Sequence, residues 1–518
     1  METLLQVDHL TIGYPEEAGM DKVVRDISFA VYENEILGVV GESGSGKSQT
    51  SLAVMGLLSE EAQILSGTMS FMGQELVGLD EKSRSRIQGN TMSMIFQEPD
   101  TSLNPVMKIG KQVGESLKLH TDLHKRQIRE KVLESMRSVG LNDVEALCEK
   151  YPHELSGGMR QRVMIAQAFI CSPRLLIADE PTTALDVIVQ AQILKLLKQL
   201  HKKNGTSILF ISHDLNVIKE ICDRVIVMYQ GEIVEGGSTH EVLFHPKHDY
   251  TRHLVASMPG NPEPLKEKKE ILQIRNMNIY YEERSRKLFA KQGRQHVVKD
   301  LNLTVYEGEL LGIVGESGSG KSTLAKAIVG LNKDYDGQMI LPEGTRPQMV
   351  FQDPFGSLNP ARKIGWILSE PLRLRGIRDK KERKRLVSMY LKEVGLEESF
   401  AGRYARELSG GQRQRVSIVM ALMMDSGILV ADEPVSALDV TVQSQILDLL
   451  LDIHRRENLT ILFISHDMNI VRHICHRVAV LYLGEIVELG DVESIYKNPT
   501  HPYTKRLIRA SMGGMEEE

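Results

Sequence analysis

Short apolar runs bounded by turn residues punctuate this chain, and most occur in pairs. Ile36 to Val40 matches Leu310 to Val314, LLIAD ending at Asp179 matches ILVAD ending at Asp432, SILFIS matches TILFIS, and RVIVMY matches RVAVLY. Uninterrupted apolar runs of this length predict strands buried on both faces. They alternate with segments of helical period such as Gln190 to His201 and Gln443 to His454, so each set predicts a parallel α/β core. A charged stretch rich in helix formers, including Ser116 to Gly140, has a counterpart from Asp379 to Gly395. Each predicts a small helical subdomain.

The repeat is measurable. Lys47 and Lys321 are 274 residues apart, Gln97 and Gln352 are 255 apart, and Ser156–Ser409 and Glu180–Glu433 are both 253 apart. Tyr14 to Tyr281 is 267, so the second copy gains seven residues before Lys321 and loses nineteen between there and Gln352. The lost part corresponds to Gly73 to Gln88, which predicts a strand, a turn and a charged helix over Asp80 to Arg86; the second copy keeps a hairpin-like piece, Gly337 to Met349. Both changes are expected in a peripheral β-rich subdomain. The junction MPGNPEPLKEKKE is rich in proline and charge and predicts an exposed linker over 259–270. Two domains, 1–258 and 271–518, follow.

Composition narrows the functional classes. With 518 residues, a formal charge of −6, a pI near 6.3 and 25% charged residues, the surface has no basic excess to attract nucleic acid. The basic run RDKKERKR (Arg378 to Arg385) could serve as a patch for anionic lipid or nucleic acid, but reads first as a solvated helix face. Cys148, Cys171, Cys222 and Cys475 are far apart, which signals neither a metal-ligand pair nor a disulfide framework and fits a reduced cytoplasmic compartment. No apolar run approaches the roughly 20 residues of a membrane span, and METLLQVDHL does not read as a secretory signal. A membrane role is expected only through partners.

The chemistry sits at the ends of the paired strands. GESGSGKS occurs at Gly41 to Ser48 and again at Gly315 to Ser322, between a strand and a helix. Glycines there let backbone N–H groups curl round phosphates, and the helix N-terminus favours anions. The candidate phosphate contacts are Gly41, Ser43, Gly44, Ser45, Gly46, Lys47, Ser48 and Gln49 in the first copy. In the second they are Gly315, Ser317, Gly318, Ser319, Gly320, Lys321, Ser322 and Thr323. Lys47 and Lys321 can reach β- and γ-phosphates, and the hydroxyls of Ser48 and Ser322 can ligate Mg²⁺. Asp179 and Asp432 can hold the same ion, while Glu180 and Glu433 can polarise a water for in-line attack on the γ-phosphate. LSGGMRQR and LSGGQRQR place Ser156, Gly157 and Gly158, and Ser409, Gly410 and Gly411, at the openings of further helices, a second anion-binding end in each copy.

With a phosphate loop upstream and an ADEP strand downstream, these signatures resemble the ABC ATPase family over nearly the whole chain. The resemblance implies two tandem P-loop ABC ATPase domains, each with a RecA-like α/β core, a β-rich subdomain and a helical subdomain. It also implies intramolecular pairing of the two copies, Ser156 and Gly158 completing the ATP site of Lys321, and Ser409 and Gly411 that of Lys47. Gln97 in IFQEP and Gln352 in VFQDP match the glutamines that contact Mg²⁺ and water, Asp186 and Asp439 the residues that couple opposite sites, and His213 and His466 the γ-phosphate histidines. Tyr14 and Tyr281 stand where family members stack adenine. Gln49 for threonine, Met159 for glutamine, and Val435-Ser436 for Thr182-Thr183 depart from pattern without removing a needed group.

The pairs EPDTSLNP (Glu98 to Pro105) with DPFGSLNP (Asp353 to Pro360), and HPKHDYTRHL (His245 to Leu254) with NPTHPYTKRLI (Asn498 to Ile508), look like the ATP-binding subunits of oligopeptide, dipeptide and nickel importers, fused in one chain. That implies an ATPase with two competent sites at the cytoplasmic face of the membrane, working with two permease subunits and, through them, a solute-binding protein. The tail from Ser511 to Glu518 has no cysteine, so the iron–sulfur cluster of some relatives is not expected. A soluble tandem ABC protein acting on ribosomes or DNA would bring a long charged helical linker or insertion. An exporter's ATPase would share all of this chemistry.

Overall fold

The computed structural model describes residues 2–16, 19–97, 99–183, 185–256, 262, 265, 268–282, 294–436 and 438–511. It divides into two compact units, Met1–Leu185 with Val189–Ala256, and Asp186–Ile188 with Ser257–Glu518. Most of the expected linker and nearly all of the C-terminal tail lie outside the described residues, as do residues 283–293. Glu270, the last residue of the expected linker, opens a strand.

In the first unit a six-stranded sheet runs in the order Glu232–Ser238, Arg224–Tyr229, Ile36–Val40, Ser207–Ile211, Leu175–Asp179, Met92–Ile95. All neighbours pair in parallel except the edge strand Glu232–Ser238. Every residue of Ile36–Val40, Leu175–Asp179 and Ser207–Ile211 is buried, as unbroken apolar runs require. A second, antiparallel sheet holds Gly19–Tyr32, Thr3–Glu16, Gln63–Phe71 and Gln74–Glu75. Its inner face supplies Leu5, Val7, Leu10 and Ile12 to one apolar core with Leu37, Val39, Ile177 and Ile211 of the parallel sheet. Asp80 caps the helix Glu81–Ile87 by accepting from the Ser83 N–H, as the charged segment predicts.

The second unit repeats the plan. Its sheet runs Gln348–Val350, Ile428–Asp432, Thr460–Ser465, Leu310–Val314, Arg477–Tyr482, Glu485–Asp491, and among the described residues its antiparallel sheet has three strands, Arg294–Tyr306, Glu270–Glu282 and Tyr335–Ile340. The expected hairpin over Gly337 to Met349 does not form. Tyr335–Ile340 pairs antiparallel with Glu270–Glu282, whereas Gln348–Val350 pairs in parallel with Ile428–Asp432, so the two pieces lie in different sheets. The connection is short enough for a hairpin, but Met349 and Val350 are buried in the main core, and burial fixes their partner.

Helical subdomains form where the charged segments predict them. In the second unit Ile364–Leu374, Lys380–Glu393 and Gly410–Leu422 bury Leu368, Leu372, Val387, Leu391, Val416 and Val419 in a separate apolar core. Most of the basic run at the start of Lys380–Glu393 is exposed, in keeping with a solvated face. In the first unit Lys125–Ser138 buries Val132 and Met136, and Gly157–Phe169 buries Val163.

Candidate active site

Each phosphate loop leaves the C-terminal end of a central parallel strand, the end at which ligands of open α/β sheets bind. Gly41 must be glycine, because a Cβ there would stand 2.1 Å from the Met228 carbonyl oxygen; at Gly315 the same atom would stand 2.2 Å from that of Leu481. Gly46 and Gly320 take left-handed φ values of 96° and 105° and start the helices Lys47–Met55 and Lys321–Ile328. Ser43, Gly44, Ser317 and Gly318 are exposed on the crown, while Ser45 and Ser319 are buried. The Lys47 ammonium donates to the carbonyls of Gly41 and Glu42, both at 2.7 Å, and Lys321 to those of Gly315 and Glu316 at 2.7 and 2.8 Å. Burial lowers the pKa of Lys321 against the opposing pull of Glu433 and Asp432.

The helix after each loop faces an acid from the end of a parallel strand that is separated from the loop's own strand by one other, Ser207–Ile211 or Thr460–Ser465. Ser48 Oγ donates to Asp179 Oδ1 at 3.2 Å, and Ser322 Oγ to Asp432 Oδ1 at 3.1 Å. Burial pushes Asp179 up to about 6, helped by adjacent Glu180 and resisted by Ser48 and Lys47; Asp432 shifts the same way. Ser51 gives Asp179 a further donor at 3.4 Å, where the second copy has Ala325. Comparing residues 274 apart would have revealed this asymmetry.

The next residue turns the chain. Glu180 and Glu433 adopt left-handed φ values of 47° and 46°, and their N–H groups donate to the carbonyls of Ile211 and Ile464. Non-glycine residues in this region cost about 1–3 kcal/mol and cluster at functional sites. Gln97 Nε2 donates to Glu180 Oε2 at 3.0 Å, Thr183 Oγ1 donates to the same oxygen at 2.8 Å, and His213 Nδ1 lies 3.1 Å from Oε1. In the second copy Gln352 Nε2 donates to Glu433 Oε2 at 2.9 Å and His466 Nδ1 lies 3.4 Å from it. Burial would raise both glutamates, but the paired histidines hold them below the usual carboxylate range. The same pairing raises both histidines, although burial works against it.

The signature serines cap helices as their spacing predicts. Ser156 Oγ accepts from the Met159 N–H and Ser409 Oγ from the Gln412 N–H, and Gln412 returns a bond by accepting from the Ser409 N–H. Met159 cannot make that return, so the capping box is complete only in the second copy. Among the described residues no hydrogen bond joins Ser156, Gly157 or Gly158, or Ser409, Gly410 or Gly411, to the phosphate loop of the same unit. A Cβ on Gly411 would reach 2.3 Å from Val442 Cγ1, and one on Gly158 3.1 Å from Val189 Cγ1. Asp439 caps Val440–Glu457 by accepting from the Val442 N–H, and Asp186 immediately precedes Val187–Asn204. Tyr14 OH donates to Gln49 Oε1 at 2.8 Å, which ties it to the phosphate-loop helix and makes the Gln49 departure a partner choice. Tyr281, by contrast, is exposed.

Sequence reasoning missed two contributions to the loop. Tyr250 OH accepts from the Glu42 N–H at 3.0 Å, and Tyr503 OH from the Glu316 N–H at 2.8 Å. Both tyrosines belong to the paired HPKHDY and NPTHPY motifs; the motif was visible, its destination was not.

A family model described as ABC transporter matches residues 24–183 and 298–436, and one described as oligopeptide/dipeptide transporter, C-terminal region, matches 234–286 and 487–514. The glutathione import ATP-binding protein GsiA of Escherichia coli O6:H1 (strain CFT073) is 41% identical, covering 98% of this chain and 89% of its own; GsiA of Shigella sonnei (strain Ss046) is 40% identical with the same coverage. A solved dimeric ATP-binding cassette, MJ0796 bound to ADP and Pi, is 25% identical with a TM-score of 0.42, covering 46% of this chain and 99% of its own.

Proposed function

The chain belongs to the ABC transporter family, as an ATP-binding protein of the oligopeptide-importer type with two ATPase domains fused, and on that premise we propose how its two sites work and what they serve. It is an ATPase coupled to transport. The observation that carries the mechanism is the twofold set of Gln97, Glu180 and His213, and of Gln352, Glu433 and His466, beside a phosphate loop.

ATP is the substrate of each site, its phosphates held by the loop N–H groups and by Lys47 or Lys321, its adenine beside Tyr14 or Tyr281. Ser319 Oγ, buried without a hydrogen-bond partner among the described residues, has capacity left for such a ligand. The oxygen-only pairs Ser48–Asp179 and Ser322–Asp432 suit a hard cation, and they would hold Mg²⁺ together with Gln97 and Gln352. When bound, Mg²⁺ neutralises charge on the phosphates. Glu180 and Glu433, ionised and each held by a glutamine, accept hydrogen bonds from the attacking water and orient it. With Nδ1 turned to the glutamate, His213 and His466 have Nε2 left to donate to the γ-phosphate. Asp186 and Asp439 couple the two sites, and the signature segments Ser156–Gly158 and Ser409–Gly411 act in hydrolysis as the anion-binding helix ends of the pair.

The partners are two permease subunits and a solute-binding protein, and the chain works at the cytoplasmic face of the membrane through them. No described helix is long and apolar enough to cross a membrane. Val106, exposed after the first SLNP, and Trp366, flanked by Arg362 and Arg373 after the second, offer unlike surfaces downstream of the two glutamines in the chain. That difference favours two non-identical permease subunits. The cargo class is a short peptide or peptide-like solute, glutathione included. Reconstitution with the permease and binding protein tests this: glutathione or dipeptides should stimulate ATP turnover and accumulate inside vesicles, and stimulation by neither would reject the cargo class.

A further inference from the structure

The two tyrosines that reach the phosphate loops do so through a construction repeated in both units. In the first, Glu235 of the edge strand accepts from the N–H groups of Lys247 and His248 at 2.8 and 2.9 Å, fixing the entry to the helix Asp249–Ala256. Tyr250 on that helix stacks on Tyr229, the last residue of Arg224–Tyr229, with ring centres 4.1 Å apart. In the second, Glu488 accepts from the N–H and hydroxyl of Thr500 at 2.7 and 2.6 Å, and Tyr503 stacks on Tyr482 at 4.2 Å. Both phenols end on the N–H of the second loop residue, Glu42 or Glu316.

That peptide is consequently held on every side. The Glu42 carbonyl accepts from Lys47 Nζ and from the Ser45 N–H, its N–H donates to Tyr250, and Gly41 before it is pressed against Met228. A phosphate loop binds by converging N–H groups, and a loop that must first order itself loses affinity to the cost of ordering. Here the first turn is held by bonds from the chain's own groups, the Tyr250 phenol and the Lys47 ammonium among them.

We propose that Tyr250 and Tyr503 are positioning residues for nucleotide binding, each holding its phosphate loop in the binding conformation through the N–H of Glu42 or Glu316. The proposal rests on the reading of these loops as ATP sites. It makes the HPKHDY and NPTHPY segments part of the ATP site's support, joining the last helix of each domain to the first turn of its loop. An anchoring role alone would place the phenols anywhere in the core and would leave the loop indifferent to them.

The full-length chain carrying Tyr250→Phe or Tyr503→Phe, which keep the stacked ring, tests it by two measurements. In the nucleotide-free protein, hydrogen exchange in the peptide covering residues 36–47 or 310–321 should quicken about ten-fold, confined to the altered copy. Titration with Mg-ADP should show one of the two sites weakened roughly five-fold, the worth of one hydrogen bond, with KM for ATP rising in step and kcat within about two-fold of wild type. Unchanged exchange, or faster exchange with unchanged ADP affinity, would overturn the proposal. So would a lowered thermal midpoint with unchanged ADP affinity, which would make the tyrosines anchors. If the wild-type chain itself bound no ADP, the nucleotide-site reading would fall, and the exchange result would judge the latch independently.

Discussion

Replacing Gly41 by Ala should remove one of two nucleotide sites. The added Cβ would meet the Met228 carbonyl oxygen at 2.1 Å and Ser45 Oγ at 2.9 Å, where ordinary contact begins at 3.4 Å, so the loop or the strand must retreat by about 1.3 Å. Strand Arg224–Tyr229 cannot easily move, because it pairs on one side with Ile36–Val40 and on the other with Glu232–Ser238. The loop therefore moves. Forcing a carbon into such a contact costs about 1–3 kcal/mol, a fall in the first domain's thermal midpoint of roughly 2–10 °C. A displacement of about 1 Å in the N–H groups that converge on phosphate costs on the order of a hundred-fold. Mg-ADP titration should thus count one tight site per chain in Gly41→Ala, and one in Gly315→Ala, where the contact is 2.2 Å from Leu481. Gly44→Ala is the comparison: its Cβ meets nothing within 4 Å, and only its left-handed φ of +81° is strained, at about 1–2 kcal/mol. Two tight sites in Gly41→Ala, with wild-type affinities, would refute the steric argument.

Three further perturbations separate binding from hydrolysis and site from scaffold. Gln97→Ala and Gln352→Ala remove the bonds to Glu180 and Glu433, 3.0 and 2.9 Å long; steady-state phosphate release should drop about ten-fold with ADP affinity nearly unchanged. Chelation by EDTA should reduce phosphate release to background, with recovery on adding Mg²⁺. Glu309→Gln leaves Arg477 without its charge partner at 2.9 Å in a nearly dry setting, and the urea midpoint should fall by the equivalent of about 3 kcal/mol.

Much of this architecture was legible because each core strand is a short unbroken apolar run and each site group sits at the end of one. Ile36–Val40, Leu175–Asp179 and Leu310–Val314 have the bounds their apolar runs set. Ser156 and Ser409 cap helices because a serine before two glycines and a helical period can do little else. What the pattern could not carry was partnership between distant segments. The Gly337 to Met349 piece has the length of a hairpin, and only burial of Met349 and Val350 against the main sheet assigns its second half elsewhere. Tyr250 and Glu42 are 208 residues apart, and no periodicity links them. The grip of Gln97 and His213 on Glu180 likewise depends on three chain segments meeting at one carboxylate. Resemblance located those residues, while their mutual geometry had to be seen.

We propose that both sites hydrolyse ATP as one coupled pair that drives import. ATP turnover and uptake by the reconstituted transporter, with Glu180→Gln and Glu433→Gln made singly, test it most directly. Coupled sites require either change to lower turnover below about one tenth of wild type, with ATP binding intact and uptake lost. Half-maximal turnover in each would mean two independent sites, and near-full turnover in either would contradict the claim that both copies work.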